Sequence, residues 1–351
     1  MAKFIITGDL HYRAKNPVAR TDLYIDALNV KISEIFDLAE QHKAEAILIP
    51  GDIFDSPTMS LPTIKMLARK FISAPCPVIT IPGNHDGFGH NLESLPRTPY
   101  SLLADLDYIR CVHNKYWGWT DTKAGLDGII TGYGHNSETD NDLQQYCFNV
   151  EADESYRKIC NSMPSSNNGY NPFRIHMVHG MLLDEAPGID FKHTLVSQLE
   201  EIPEHRRPHV LVCGHYHFGL KLQYIGKTLV INPGAIGRLT AHMEEMERQV
   251  KVTLLTVHNT DEYEAETIAL KMAQPGHEVL SRKHIEEKQE RNKSLEEFLG
   301  LLAQEGEAKF LEVTDIIEDI ASREDMPKEV QDVALSRLSE ARETLGVREI
   351  G

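Results

Sequence analysis

Four short loops carry most of the side chains in this sequence that could do chemistry together. They are Asp9-Leu10-His11, Gly51-Asp52-Ile53-Phe54-Asp55, Gly83-Asn84-His85-Asp86 and Gly214-His215-Tyr216-His217, and His179 in Val178-His179-Gly180 is a fifth element. Each begins at the end of an apolar run, and a glycine adjoins each one, where the main chain must turn sharply or approach a neighbour closely. Carboxylates among imidazoles suit a pair of divalent cations. The carboxylates offset the charge, one of them can touch both ions, and neutral imidazoles complete the shells. Two such ions about 3.5–4 Å apart lower the pKa of a shared water and clamp the oxygens of an ester. The expected chemistry is hydrolysis of a phosphate ester. Oxygen and nitrogen donors without cysteine favour Mn, Fe, Zn or Mg over a soft-metal site, and nothing in the residue set picks one.

Taken singly, none of these loops would carry that reading. A lone DxH is common by chance, a lone GNHD suits a turn, a lone HxH could be a surface pair, and His179 could be a core histidine. Their coincidence, in order and each after a strand, is what points to a metal site. The other histidines, including His135 in TGYGH, lack this support and read as surface or core residues.

The elements that must position these loops follow from the pattern. KFIIT is a short strand that ends at Asp9. Residues 22–42 place Leu28, Ile32, Ile35, Phe36 and Ala39 at helical intervals. AEAILIP is a buried strand delivering GDIFD, residues 61–73 form a helix with Pro62 in its first turn, and PVITIPGNHD is the next strand and loop. A β-α-β series implies parallel strands with ligands at their C-terminal ends. Further on, GIITGYG, YCFNV, FRIHMVHG, HVLVC and LVINPGA read as strands or strand candidates. Residues 247–257 and 263–270 alternate as a hairpin around HNTDE.

After about residue 272 there are no further Trp or Tyr residues and charged helix formers dominate. Two domains are expected: 1–272 around the metal loops, and a charged, largely helical region at 273–351. That region is either a cap or a partner-binding module, since an amphipathic stripe does not say what covers it. The 351-residue chain carries a net charge of -17, which argues against a surface coated for non-specific nucleic-acid binding. The five cysteines show no paired spacing, as in a reducing compartment, and no apolar stretch is long enough to span a bilayer, so a cytoplasmic setting without membrane partners is expected.

The set DxH, GDxxD, GNHD, VHG and GHxH resembles the calcineurin-like metallophosphoesterase superfamily over about residues 1–270. The resemblance implies an α/β fold, a four-layer α/β/β/α metallophosphoesterase sandwich, with the small C-terminal helical region appended. It implies that Asp9, His11, Asp52 and His217 hold one metal and that Asp52, Asn84, His179 and His215 hold the other, with Asp52 bridging. His85 would bind the phosphate and protonate the leaving oxygen, Asp55 would orient His85 through a hydrogen bond, and Asp86 would end the loop.

Within the superfamily, ILIPGDIFDSPTMSLPTIKML, PVITIPGNHD and NPGAIGR look most like the Mre11/SbcD nuclease family. That likeness implies a DNA exonuclease and endonuclease that uses two divalent ions, manganese first and Mg, Fe or Zn otherwise. It also implies a homodimer and an SMC-like ATPase partner of Rad50/SbcC type. Members of that family read DxHLG at the first loop, where this chain has Asp9-Leu10-His11-Tyr12-Arg13, and the DNA-capping domain expected after the core is not evident at ordinary length. A short chain of this kind also suits a phage or prophage. The other enzyme reading is a phosphodiesterase or phosphatase for a small molecule or cyclic nucleotide. The rim decides between them: a nuclease predicts Arg or Lys beside the metals, with Arg13, Arg20 or Arg238 as candidates. Tyr116, Trp117 and Trp119 would serve as a base platform or, more simply, as strand packing.

Overall fold

The computed structural model describes residues 1–121, 126–141, 143–149 and 171–283, with scattered positions within 151–155 and 285–337. The strands of the motif-bearing half alternate between two buried environments. In β1 (Ala2–Ile6), Phe4 and Ile6 face one apolar cluster and Ile5 faces another. The same two-residue period puts Ala46 and Leu48 of β2 (Ala46–Ile49) on the side of Phe4, and Ile47 and Ile49 on the opposite side. Strands apolar on both faces belong in a sheet covered on both sides.

That sheet has six strands. β1, β2, β3 (Val78–Thr80) and β4 (Arg110–Cys111) run parallel in this order. β13 (Lys251–Val257) pairs antiparallel with β1, and β14 (Tyr263–Ala269) antiparallel with β13. The second six-stranded sheet has the order β11 (Gln223–Ile225), β12 (Thr228–Ile231), β10 (Val210–His215), β7 (Phe173–Gly180), β6 (Leu126–Tyr133), β5 (Tyr116–Asp121). Its parallel centre is β12, β10, β7 and β6. β11 and β5 close its edges antiparallel. β8 (Leu182–Leu183) with β9 (Thr194–Leu195) forms a separate two-stranded sheet.

The inner cluster joins the two sheets: Phe4, Leu48 and Ile79 from the first meet Ile130, Ile175, Met177 and Val212 from the second. Helices α1 (Tyr24–His42), α2 (Leu61–Ile72) and α3 (Pro99–Asp105) cover the outer face of the first sheet through Leu28, Ile32, Ile35, Leu67, Phe71 and Leu103. The outer face of the second carries Val178, Leu211, Cys213 and Val230 against Tyr146, Val196 and Leu199 from short 3-10 turns. The result is the four-layer α/β/β/α sandwich that the motifs implied. Helix boundaries agree with local chemistry. Ser60 caps α2, its hydroxyl accepting from the Thr63 N–H, and Lys43 ends α1 in the left-handed region with its N–H on Ala39 O and Glu40 O.

One expectation is corrected. The described residues of YCFNV, 146–149, form no strand. The 3-10 turn Leu143–Tyr146 occupies its start, with Tyr146 Oη donating to Asp140, and the Phe148 N–H reaches Arg206 O instead of a strand neighbour. Chain contacts group Met1–Arg282 as one unit and Lys283–Gly351 as another. Residues just beyond 272 stay with the first because Thr21 N–H donates to Val279 O and Ser281 N–H to Ala19 O. The helices expected beyond 283 lie almost wholly outside the described residues. Trp119 is buried and meets Phe4 edge-on at 5.3 Å, and Trp117 packs on the same cluster, so both serve as strand packing. No helix among the described residues is long and apolar enough to cross a membrane.

His176 lies fully buried on β7, between the Thr131 hydroxyl at 2.8 Å from Nδ1 and Gln145 O at 2.9 Å from Nε2. The carbonyl can only accept, so Nε2 carries the proton and Nδ1 accepts from Thr131. Burial lowers the imidazole pKa from 6.5 to about 4. The unfolded chain therefore takes up a proton that the folded chain refuses. The contribution to stability is complete above pH 6.5 and falls as the pH drops toward 4. By pH 5 the loss amounts to about 2 kcal/mol. His176→Gln, which keeps a donor and an acceptor, should show a smaller drop in urea midpoint between pH 7 and pH 5 than the parent chain.

Candidate metal centre

The five motifs meet at the C-terminal edges of the two sheets. The first two loops are clamped through the main chain: Leu10 and His11 N–H groups both donate to Asp52 O, at 3.0 and 2.9 Å, and Tyr12 N–H donates to Ile53 O. The third loop is tied to the second by Asp86, whose carboxylate accepts from Gly83 N–H at 2.9 Å and Phe54 N–H at 3.0 Å. Asp86 thus ends its loop as the resemblance implied. The fourth is held when Asp9 accepts from the His215 N–H at 3.1 Å. His11, Asp52 and His215 all take positive φ, at 47°, 49° and 78°. Non-glycine residues resist that region, and such strain gathers at working sites. Gly51, at φ 106°, has no room for a side chain, because a Cβ there would stand 2.3 Å from His179 Nδ1.

The functional atoms form two adjoining groups. Asp9, His11 and His217 make one, with His11 Nε2 and His217 Nε2 2.9 Å apart and His217 Nε2 3.4 Å from Asp9 Oδ2. Asp52, His179 and His215 make the other, with His179 Nε2 3.3 Å from Asp52 Oδ2 and 3.0 Å from Asn84 Oδ1. Asp52 Oδ2 lies between the groups, 3.7 Å from His11 Nε2. Asp9, His11, Asp52 and His179 are almost wholly buried, and Asn84 nearly so. Asp52 Oδ2 is buried with no hydrogen-bond partner. At most one of the facing His11 and His217 nitrogens can carry a proton toward the other. Converging lone pairs around an unsatisfied buried carboxylate are what a pair of cations would complete.

The electrostatics point the same way. Burial, with Asp52 nearby, pushes Asp9 up to about 7. Burial also opposes ionisation of Asp52, but His179 and His11 outweigh it and hold the carboxyl below its ordinary range. Burial would lower His179, yet Asp52 and Asp9 raise it to about 10, so without metal a proton on this ring supplies the positive charge. Burial lowers His11 to about 3, His215 to about 2 and His217 to about 4, which leaves neutral imidazoles with lone pairs to offer. His179 Nδ1 donates to Pro50 O at 2.7 Å, which fixes the ring and turns Nε2 inward.

His85 stands at the half-exposed mouth. Its main-chain N–H donates to Asp52 Oδ1 at 2.8 Å, and its Nδ1 donates to the main-chain oxygen of Asp55 at 2.9 Å. The hydrogen bond between Asp55 and His85 is made by the main-chain oxygen of Asp55. The Asp55 carboxylate instead pairs with Arg13 at 2.7 Å and lies 3.6 Å from His11 Nδ1. Asp55→Asn should leave His85 anchored and act through His11, lowering turnover roughly 10–100-fold by weakening metal retention. Activity restored by excess metal would bear this out; a loss that metal does not restore would return Asp55 to His85.

Sequence reasoning passed over His135. It follows β6 as the other site residues follow their strands, and its ring lies 5.4 Å from His215 with Nδ1 3.3 Å from His179 O. Glycine just before it, after a strand, was the available signal. Of the three arginines considered for the rim, only Arg13 approaches the site. Arg20 pairs with Asp22, and Arg238 is buried against the main-chain oxygens of Glu245, Gln274 and Arg248.

This fold and donor set are those of a metal-dependent phosphoesterase with a dinuclear site. The profile of the calcineurin-like phosphoesterase family matches residues 2–219, and the chain belongs to that family. No curated protein matches. Among solved structures, the protein TT1561 of Thermus thermophilus aligns at 12% identity and TM-score 0.45, covering 77% of this chain and 99% of that one. A putative 5'-nucleotidase from Staphylococcus aureus, solved with alpha-ketoglutarate, aligns at 12% identity and TM-score 0.46, covering 77% and 54%. A novel archaeal phosphodiesterase aligns at 17% identity and TM-score 0.34, covering 76% and 99%.

Proposed function

We propose that the chain hydrolyses small phosphodiesters or phosphate monoesters at a dinuclear centre. Asp9, His11, Asp52 and His217 would hold one ion, and Asp52, Asn84, His179 and His215 the other. The observation that carries the reading is Asp52 Oδ2, buried and set between two histidine-bearing groups, 3.3 Å from His179 Nε2 and 3.7 Å from His11 Nε2. When bound, the ions supply a nucleophile at neutral pH and charge stabilisation for the ester oxygens. The chain's own residues do the rest. Pro50 and the Asp52 main chain fix the rings and loops that frame the phosphorus, so little reorganisation is needed as charge develops. His85, with Nδ1 committed to Asp55 O, presents Nε2 to the mouth and would deliver its proton there to the leaving oxygen.

The Mre11/SbcD likeness favours DNA as substrate, in a homodimer with a Rad50/SbcC-type ATPase. The small-substrate reading is preferred on the rim. Arg20 and Arg238 line a separate pocket beside α1, Arg13 is paired with Asp55, and the net charge is -17. A DNA track would need cations free to meet phosphates. The test offers the full chain, with Mn, linear duplex DNA, circular single-stranded DNA, a cyclic nucleotide and bis-p-nitrophenyl phosphate. Hydrolysis of the last two without DNA cleavage is expected, and efficient DNA cleavage would restore the nuclease reading. The region 273–351 remains the proposed cap or partner-binding element.

A further inference from the structure

We propose that a pocket of about 400 Å³ beside α1, lined by Arg20, Lys31 and Arg238, binds a small organic phosphate monoester. It is separate from the metal centre, and the inference does not depend on the reaction proposed above. All three cations are more than nine-tenths buried, at 8%, 3% and 3% exposure. Buried cations are costly unless paired. Arg20 is paired, its Nε and Nη2 donating to the Asp22 carboxylate at 2.7 and 2.6 Å. Arg248, close by, is balanced by Glu245 at 2.9 Å. Lys31 and Arg238 make no ion pair at contact distance among the described residues, and Asp22 and Glu245 act on them only from further off. Lys31 Nζ donates to Ile236 O, and Arg238 donates only to neutral main-chain oxygens. Asp26, at the pocket edge, is exposed to solvent and screened by it.

The pocket therefore holds two buried cations that no carboxylate contacts directly, in a chain that is strongly acidic overall. Burial and the charges of Arg20, Arg238 and Arg248 pull Lys31 down to about 7, and Asp22 offsets them only in part. A dianionic phosphate matches two buried cations that lack a contacting carboxylate, and guanidinium groups suit its oxygens. The opposite lining is apolar: Leu23, Val30 and Met272 are 66%, 39% and 54% exposed. Exposed apolar side chains around a cationic floor suit a ligand with an organic group on the phosphate, and the volume is in the range of small-molecule sites.

The pocket also backs onto the first metal loop. Tyr24 Oη lies 3.1 Å from Leu10 O and 3.3 Å from His11 O, and Ile236 N–H donates to Asp9 O at 3.1 Å. An anion that drew Lys31 away from Ile236 O would act on the loop that supports Asp9.

The experiment is equilibrium dialysis of the full chain against radiolabelled adenosine 5'-monophosphate in EDTA, which keeps the metal centre from drawing the phosphate. Saturable binding of one equivalent is expected, with inorganic phosphate competing more weakly. Lys31→Met removes one charge, and Ala27→Phe fills the pocket from α1 while keeping every cation. Each should weaken binding at least about tenfold, the loss of one charge-assisted contact. Absence of saturable binding in the folded parent, or binding untouched by Ala27→Phe, would overturn the site. Inorganic phosphate binding as tightly as the nucleotide would overturn the organic part of the assignment.

Discussion

Asp52→Asn is expected to abolish most hydrolysis and to strip metal from both halves of the centre. The substitution keeps size and shape and removes one negative charge. Asp52 is the one carboxylate that adjoins both histidine groups, with Oδ2 3.3 Å from His179 Nε2 and 3.7 Å from His11 Nε2. Its charge also holds the His179 proton in the metal-free chain. An amide can offer only its carbonyl oxygen, so two ions would face each other with less charge between them. Metal supplies several kcal/mol of transition-state stabilisation, so its loss corresponds to roughly a thousandfold in turnover. Elemental analysis after dialysis should find fewer than the parent's equivalents of metal, and excess Mn should restore activity only in part. Full metal content with full activity would show that Asp52 does not bridge. A chelator should reproduce the loss in the parent chain, reversibly. Asp9→Asn provides the contrast: among the described residues Asp9 clusters as a possible ligand with His11 and His217, so its loss should weaken that ion more than the other.

The fold and the centre were legible in the sequence for the same reason. Phosphoester chemistry needs several ligands at strand ends, and strands buried on both faces are near-continuous apolar runs, so each motif announces its own strand. The alternation in Phe4, Ile5 and Ile6 became the two clusters on either side of β1. What sequence could not carry was contact between loops. The Asp55 interaction with His85 passes through a main-chain oxygen, which residue identity does not encode. Arg238 looked like a rim cation because arginines are polar, yet three main-chain oxygens hold it inside the fold. Lys31 sits at a buried position of α1, where periodicity alone gave no reason to place a charge. YCFNV has strand composition, but local bonds from Tyr146 and Cys147 set a 3-10 turn there. His135 was passed over because its motif is a single histidine, and only the approach of β6 to β7 brings it to His179.

His85→Ala is expected to retain metal while lowering turnover by about 10²–10⁴-fold, the range for a positioned proton donor. The size of the loss should depend on the leaving group. A p-nitrophenolate departs readily without a proton, so the variant should be least impaired on bis-p-nitrophenyl phosphate. An alkoxide from an unactivated phosphodiester needs the proton, and there the loss should be largest. Phosphate binding would weaken with both substrates, which separates a KM effect common to them from a kcat effect that grows with leaving-group basicity. The alternative role is also written in the geometry. His85 groups with His11 and Asp52, and its ring meets that of His11 at 4.8 Å and nearly a right angle, so it could serve as a ligand. Nδ1 is committed to Asp55 O, which leaves only Nε2 for either task. A ligand role predicts that His85→Ala loses metal and that excess Mn rescues it on every substrate alike. A proton-donor role predicts intact metal content and a leaving-group-dependent defect that no metal concentration repairs.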